Sequence, residues 1–309
     1  MTTQLIYHDA FANHVTPEGH PERIDRILMV NQTLADESFH ALNRCEAPLG
    51  NADLASLCHP DDYIHTLEAN VPEDNLVQID GDTYLSPGSM EAAYRALGGI
   101  CHGVDTVISG DADNAFCALR PPGHHAEKKT AMGFCLFNTI AIAARHAQKA
   151  HGLERIAIVD FDVHHGNGTQ DIFWDDESVL FCSTHQMPLF PGSGHLGETG
   201  EHNTICNAPL RAGDDGEHFK EAFTTRILPA VSDFSPDLIL VSAGFDAHRR
   251  DPLANINLEA DDFQWATGKI MELADKFCDN RLVSTLEGGY DLEGLATSVH
   301  AHVTTLLAG

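Results

Sequence analysis

The sequence predicts an α/β domain built on a mainly parallel sheet. Short, almost continuously apolar, β-rich runs alternate with longer amphipathic helical patterns. The runs lack the polar alternation of a sheet with one wet face, so they read as strands covered on both sides. Apolar residues make up 43% of the 309 positions, enough for a sizeable core. No repeat, low-complexity tract or linker divides the chain, which predicts one domain over residues 1–309.

In chain order the first strand candidate is Leu5–Tyr7. Ser86-Pro87 then offers an N-cap and first-turn pair, followed by Ala93, Leu97, Ile100, Val104 and Val107 at helical spacing. Strands are expected at Asn114–Leu119, Arg155–Phe161 and Val179–Ser183. Phe219, Phe223, Ile227 and Val231 mark a second helix, which Pro229 weakens. Leu238–Ser242 is the next strand. Asn257 precedes a helix with Phe263, Ala266, Ile270, Leu273 and Phe277 on one face, and Leu282–Leu286 closes the series.

Charge narrows the function. Eighteen Lys and Arg against 46 Asp and Glu give −28 with His neutral, which excludes a phosphate-binding surface and hence nucleic acid as partner. An acidic surface suits cationic substrates and also keeps a protein soluble. No apolar run reaches the roughly 18 residues of a membrane helix. The opening MTTQLIYHDAFANH has no basic stretch followed by an apolar one, so no secretory signal is expected. The eight cysteines form no CxxC pair and read as buried, reduced thiols, consistent with a cytoplasmic protein.

Four strand candidates run into unusual polar clusters: RPPGHHAEKKTAMGFC (120–135), DFDVHHGNGT (160–169), AGFDAHRRDP (243–252) and EGGYDLEG (287–294). In a parallel sheet all four meet on the carboxyl rim, where α/β ligands gather. In extended backbone Asp160, Asp162 and His164 share one face. Asp162 and His164 offer an oxygen and a nitrogen to a divalent metal, and Asp246 is available from a neighbouring strand end. Three protein ligands with a fourth position for water, and no cysteine among them, is the pattern of catalytic zinc.

These segments resemble the zinc-dependent histone deacetylase family, specifically its class II branch and the bacterial deacetylase-like amidohydrolases. EGHPERIDRI (18–27), LFPGSGHLGETG (189–200), VSAGFDAHRRDPL (241–253) and LEGGYDLEGL (286–295) join the clusters at 120–135 and 159–170 in the family's order. The resemblance implies the arginase–deacetylase fold, with a largely parallel eight-stranded sheet flanked by helices. It implies Asp162, His164 and Asp246 as zinc ligands and His124 and His125 as tandem active-site histidines. Asp160 is then the partner of His124, and Asn167, where class I enzymes carry Asp, the partner of His125. Tyr290 corresponds to the residue that polarises the substrate carbonyl. Gly133, Phe134 and Phe190 match a narrow acyl-lysine tunnel, Leu253 its apolar mouth and Arg23 a basic residue near the acetate exit. A structural potassium or sodium ion is implied beside the zinc strand, held by Asp160, Asp162, His164, Ser183 and Thr184.

The expected reaction is removal of acetyl or other acyl groups from acetylated lysine by metal-activated water. An acetylpolyamine amidohydrolase shares the fold and chemistry, but polyamine-selective members carry an acidic gatekeeper where this chain has Leu253. An arginase-like dimanganese site would need further bridging carboxylates. An inactive reader of acetylated chains would lack a ligand or Tyr290, and none is missing. The loop Val71–Thr83, with Glu73, Asp74, Asp80 and Asp82, is expected either to shape the entrance or to be an ordinary solvated loop.

Overall fold

The computed structural model describes residues 1–309. Its strands are β1 (Thr3–Tyr7), β2 (Asn43–Glu46), β3 (Val77–Gln78), β4 (Tyr84–Leu85), β5 (Asn114–Cys117), β6 (Ile156–Asp160), β7 (Val179–Gln186), β8 (Ile205–Leu210), β9 (Leu238–Ala243) and β10 (Leu282–Leu286). β3 and β4 form a small antiparallel ribbon, and the other eight form one sheet in the order β2-β1-β5-β10-β9-β6-β7-β8. Every pairing in that sheet is parallel. β5, β6, β7, β9 and β10 are buried along their whole length, as their unbroken apolar runs require.

The two sheet strands that apolar pattern does not reveal are the edges. β2 reads NRCE and is mostly exposed, while β8 reads ICNAPL and tolerates Pro209 because an edge strand needs hydrogen bonds on one side only.

The helices differ from expectation at their ends. The first long one runs Ser89–Ser109 with Gly88, not Ser86, as N-cap. The Ser86 hydroxyl instead accepts Val15 N–H and donates to Asn13 O, tying this turn to the N-terminal segment. The helix after Asn257 is Ala260–Phe277, opened by a reciprocal capping box between Glu259 and Asp262, while Asn257 donates to Gly213 O. The Phe219–Val231 pattern is helical throughout, but Gly216–Ala222 and Leu228–Phe234 are separated by a π turn over Phe223–Ile227. That turn places Pro229 in the first turn of the second helix, where its missing N–H costs little. No helix is long and apolar enough to cross a membrane.

In the centre of the sheet β5, β10, β9 and β6 are successive neighbours. Register sets Asp160 opposite both Ser242 and Ser183, and Leu286 opposite Ala243. The four polar clusters therefore leave the sheet side by side from one rim.

Candidate active site

Below that rim Asp162, His164 and Asp246 are buried, with donor atoms all within 4.8 Å of one another. His164 Nδ1 lies 3.0 Å from Asp246 Oδ2 and 3.3 Å from Asp162 Oδ1. Backbone amides aim the carboxylates: Gly288 N–H and His164 N–H donate to Asp162, and Val163 N–H to Asp246. A Cβ on Gly244 or Gly288 would collide with the Asp162 and Asp246 oxygens, so glycine is needed for this close approach.

The donor set fits a divalent cation. No Lys or Arg pairs with either carboxylate, and buried anions need a counter-charge. Burial and the charge of Asp162 push Asp246 up to about 7. Burial pushes His164 down, but Asp162 and Asp246 reverse this and hold it up to about 10. Carboxylate oxygen and imidazole nitrogen are both donors that zinc accepts.

His124 and His125 lie against this cluster with ring centroids 4.0 Å apart. His124 Nδ1 donates to Asp160 Oδ2 at 2.8 Å, and His125 Nδ1 donates to Asn167 Oδ1 at 2.8 Å. The Asn167 amide nitrogen faces Glu127 Oε1 at 2.8 Å. A carboxylate only accepts, so Asn167 must turn its oxygen to His125. His125 thus carries its proton on Nδ1 and leaves Nε2 free. The partners split the two rings. Burial lowers His124, but Asp160, Asp162 and Glu287 outweigh it and hold the ring well above its ordinary value. Burial, reinforced by the charges of His124 and His164, holds His125 well below.

A cavity of about 260 Å³ opens over these groups, lined by Asp82, His125, Gly133, Phe134, His164, Leu189, Phe190, Leu253 and Tyr290. Gly133 (φ +56°) brings its backbone onto His125, where a Cβ would stand 2.5 Å from the ring. The Phe134 ring meets Tyr290 edge-on at 5.8 Å, and the Phe190 ring meets His125 at 5.1 Å. The Tyr290 N–H is held by Asp251, and burial pushes its phenol well above the ordinary value, so it stays protonated. Of the acidic loop only Asp82 reaches the cavity, and it also accepts Gly133 N–H.

One expected residue is misplaced. Arg23 is half-exposed and pairs with Asp25 at the surface. Arg26, one helical turn on, is fully buried, donates to Gly289 O (2.6 Å) and Glu287 O (2.5 Å), and stacks its guanidinium over the Tyr290 ring at 4.8 Å. The helix begins at Ile24, so Arg23 sits before it on extended backbone and does not share the inward face on which the helical Arg26 lies.

Sequence reasoning also missed Glu287, Asp251 and Glu22. Glu287 accepts Gly123 N–H (2.7 Å) and His124 N–H (3.2 Å), fixing the backbone that carries the tandem histidines. Burial pushes its carboxyl up to about 7. Glu22 grips Arg120 through both oxygens, at 2.6 and 2.9 Å, and Arg26 at 3.1 Å. The signal was available in HPER and EGGY, but Glu22 meets Arg120 across 98 positions and Glu287 meets Gly123 and His124 across 164 and 163.

Asp160 and Ser183 face each other across β6 and β7, and Gln186 N–H donates to Val163 O, so the segment 162–164 continues alongside β7. The Ser183 hydroxyl lies 2.9 Å from His185 Nδ1, and the buried Thr184 hydroxyl has no partner.

A fully parallel eight-stranded sheet with a buried Asp-His-Asp cluster under a narrow aromatic cavity is the arginase–deacetylase architecture with a candidate metal site at its carboxyl rim. Residues 20–306 match the histone deacetylase domain, and the chain belongs to the histone deacetylase family of hydrolases. It is 36% identical over 316 residues to a probable deacetylase of Archaeoglobus fulgidus, covering 100% of this chain and 87% of that one. It is 39% identical over 285 residues to a histone deacetylase-like amidohydrolase of Pseudomonas aeruginosa, covering 91% and 73%. The crystal structure of the HDA15 HD domain superposes with a TM-score of 0.94 at 32% identity, covering 99% of this chain and 88% of that one.

Proposed function

We propose that the chain is a zinc-dependent deacetylase that hydrolyses the side-chain amide of acetylated lysine. The observation that carries this reading is convergence: Asp162, His164 and Asp246, the free Nε2 side of His125 and the Tyr290 ring all meet one slim apolar cavity. A zinc ion held by those three residues supplies Lewis acidity and lowers the pKa of bound water.

The protein's own groups do the rest. Phe134 and Phe190 line the channel for the methylene stem of lysine, with Leu253 at its mouth. His125, its Nδ1 proton fixed by Asn167, takes the proton of the attacking water at Nε2 and passes it to the departing amine. His124, held cationic by Asp160, stabilises developing negative charge. The Tyr290 hydroxyl makes no hydrogen bond to protein and is free to donate to the carbonyl oxygen as it becomes an oxyanion. Arg26 steadies that tyrosine from behind.

We further assign a potassium or sodium ion to the junction of Asp160, Asp162, His164, Ser183 and Thr184, which the unpartnered Thr184 hydroxyl supports. Eight unpaired cysteines support a reducing, cytoplasmic setting.

The test is turnover of an acetyl-lysine peptide that vanishes with a chelator and returns with zinc. A second substrate reading, acetylated polyamines, is favoured by Asp82 in the cavity wall and by the net charge of −28. Acetylspermidine and acetylputrescine assayed beside the peptide separate the two.

A further inference from the structure

Outside the cavity, the helices Ser89–Ser109 and Thr139–His151 pack together and bring three metal-competent side chains to one point. We propose that Asp105, His146 and His151 form a second metal site that takes a divalent transition-metal ion.

Both imidazoles present the same atom to the same oxygen. His146 Nε2 lies 2.7 Å and His151 Nε2 2.6 Å from Asp105 Oδ1. The rings approach from different directions, with centroids 5.7 Å apart and planes at 80°. All three donor atoms fall within 4.8 Å of one another. A carboxylate oxygen that already collects two ring nitrogens holds the ligands poised, and an ion that takes Nε2 leaves each neutral ring with its proton on Nδ1.

The donor chemistry selects the ion. Two imidazoles and one carboxylate suit zinc, nickel, cobalt or copper rather than calcium or magnesium, which prefer all-oxygen shells. Tetrahedral metal–ligand distances of about 2.0–2.1 Å need each nitrogen about 0.7 Å further from the oxygen than it now lies. The site can open by that amount. His151 is the last residue of its helix, followed by Gly152 in a left-handed turn, and Asp105 is partly exposed. Side-chain exposures of 16% for His146 and 25% for His151 leave the nitrogens ordered yet reachable from water, which completes the coordination shell. An ion there clips the two helices together, and the surrounding charge of −28 enriches cations near it.

The test is zinc stoichiometry by equilibrium dialysis and elemental analysis of the whole protein. With both sites filled, the unaltered chain holds two ions, Asp246→Ala one, His151→Asn one, and the double variant none. His146→Ala and Asp105→Asn act as independent checks should one substitution disturb folding, and each weakens the second ion at least tenfold. If Asp246→Ala leaves the ion count unchanged, the buried site fails while the surface site stands. If zinc uptake is the same in the unaltered chain and in His151→Asn, His146→Ala and Asp105→Asn, the proposal is overturned.

Discussion

Glu127 holds the amide nitrogen of Asn167 at 2.8 Å, and so decides which end of that amide His125 meets. Without the carboxylate, Asn167 can turn its NH2 towards His125 and force the ring proton to Nε2, the nitrogen that acts as base in the proposed mechanism. Glu127→Ala is therefore expected to lower kcat by about 10–100-fold, the usual scale for a residue supporting a catalytic ligand. Metal content should not change. Glu127→Gln, which still offers a carbonyl oxygen, should recover much of the rate, and Nδ1/Nε2 tautomer populations by NMR report the cause directly.

On the proposed mechanism, Tyr290→Phe removes a donor that acts mainly in the transition state. The expected loss is about two to three orders of magnitude in kcat, with the fold and the bound metal intact. Unchanged turnover would remove Tyr290 from the mechanism.

Arg26 and Arg23 should behave oppositely. Arg26→Ala strips the tyrosine loop of two carbonyl contacts and a stacked cation, and leaves Glu22 half-paired in the core. A cost of about 3–5 kcal/mol is expected for breaking such a buried network, measured by denaturant unfolding. Arg23→Ala severs only an exposed pair with Asp25 and should stay within about 0.5 kcal/mol.

The Glu22 network also predicts a pH dependence. Burial raises the Glu22 carboxyl, but Arg120 and Arg26 overcome this and bring it down to about 2, against about 4.5 for the unfolded chain. A depressed folded value means the stabilisation is complete above about 4.5 and is lost as pH falls towards 2. The full amount is about 3 kcal/mol. The melting-temperature gap between the native chain and Glu22→Gln should be constant from neutral pH to about 5 and narrow below 4.5. A gap that widens in acid would contradict this.

Gly133→Ala tests the close approach of the cavity wall to His125. The new Cβ meets the His125 ring at 2.5 Å and sits at φ +56°. Both stability and kcat should fall, with a loss of at least 1 kcal/mol in chemical unfolding.

The sequence carried the parts of this architecture that obey a local pattern. Six of the eight sheet strands are legible because burial on both faces demands unbroken apolar runs, and β2 and β8 escape because an edge does not. Asp162, His164 and Asp246 stand out because they cluster at predicted strand ends. Arg26 was passed over for Arg23 because an arginine's burial depends on which side of a helix faces the core, and the helix start at Ile24 is weakly marked. Glu287, Asp251 and Glu127 act through partners about 40 to 160 positions away, so no window of sequence contains their role.

The ordering of β5, β10, β9 and β6 has a kinetic corollary. His125, Tyr290, Asp246 and His164 are contributed one by each of those neighbours, spread over 166 positions of chain. No short fragment of the polypeptide contains the machinery, and no half-assembled sheet can align it. Recovery of turnover during refolding should therefore lag behind collapse and coincide with the last central strand to dock, making enzymatic assay a clock for the slowest long-range step of assembly.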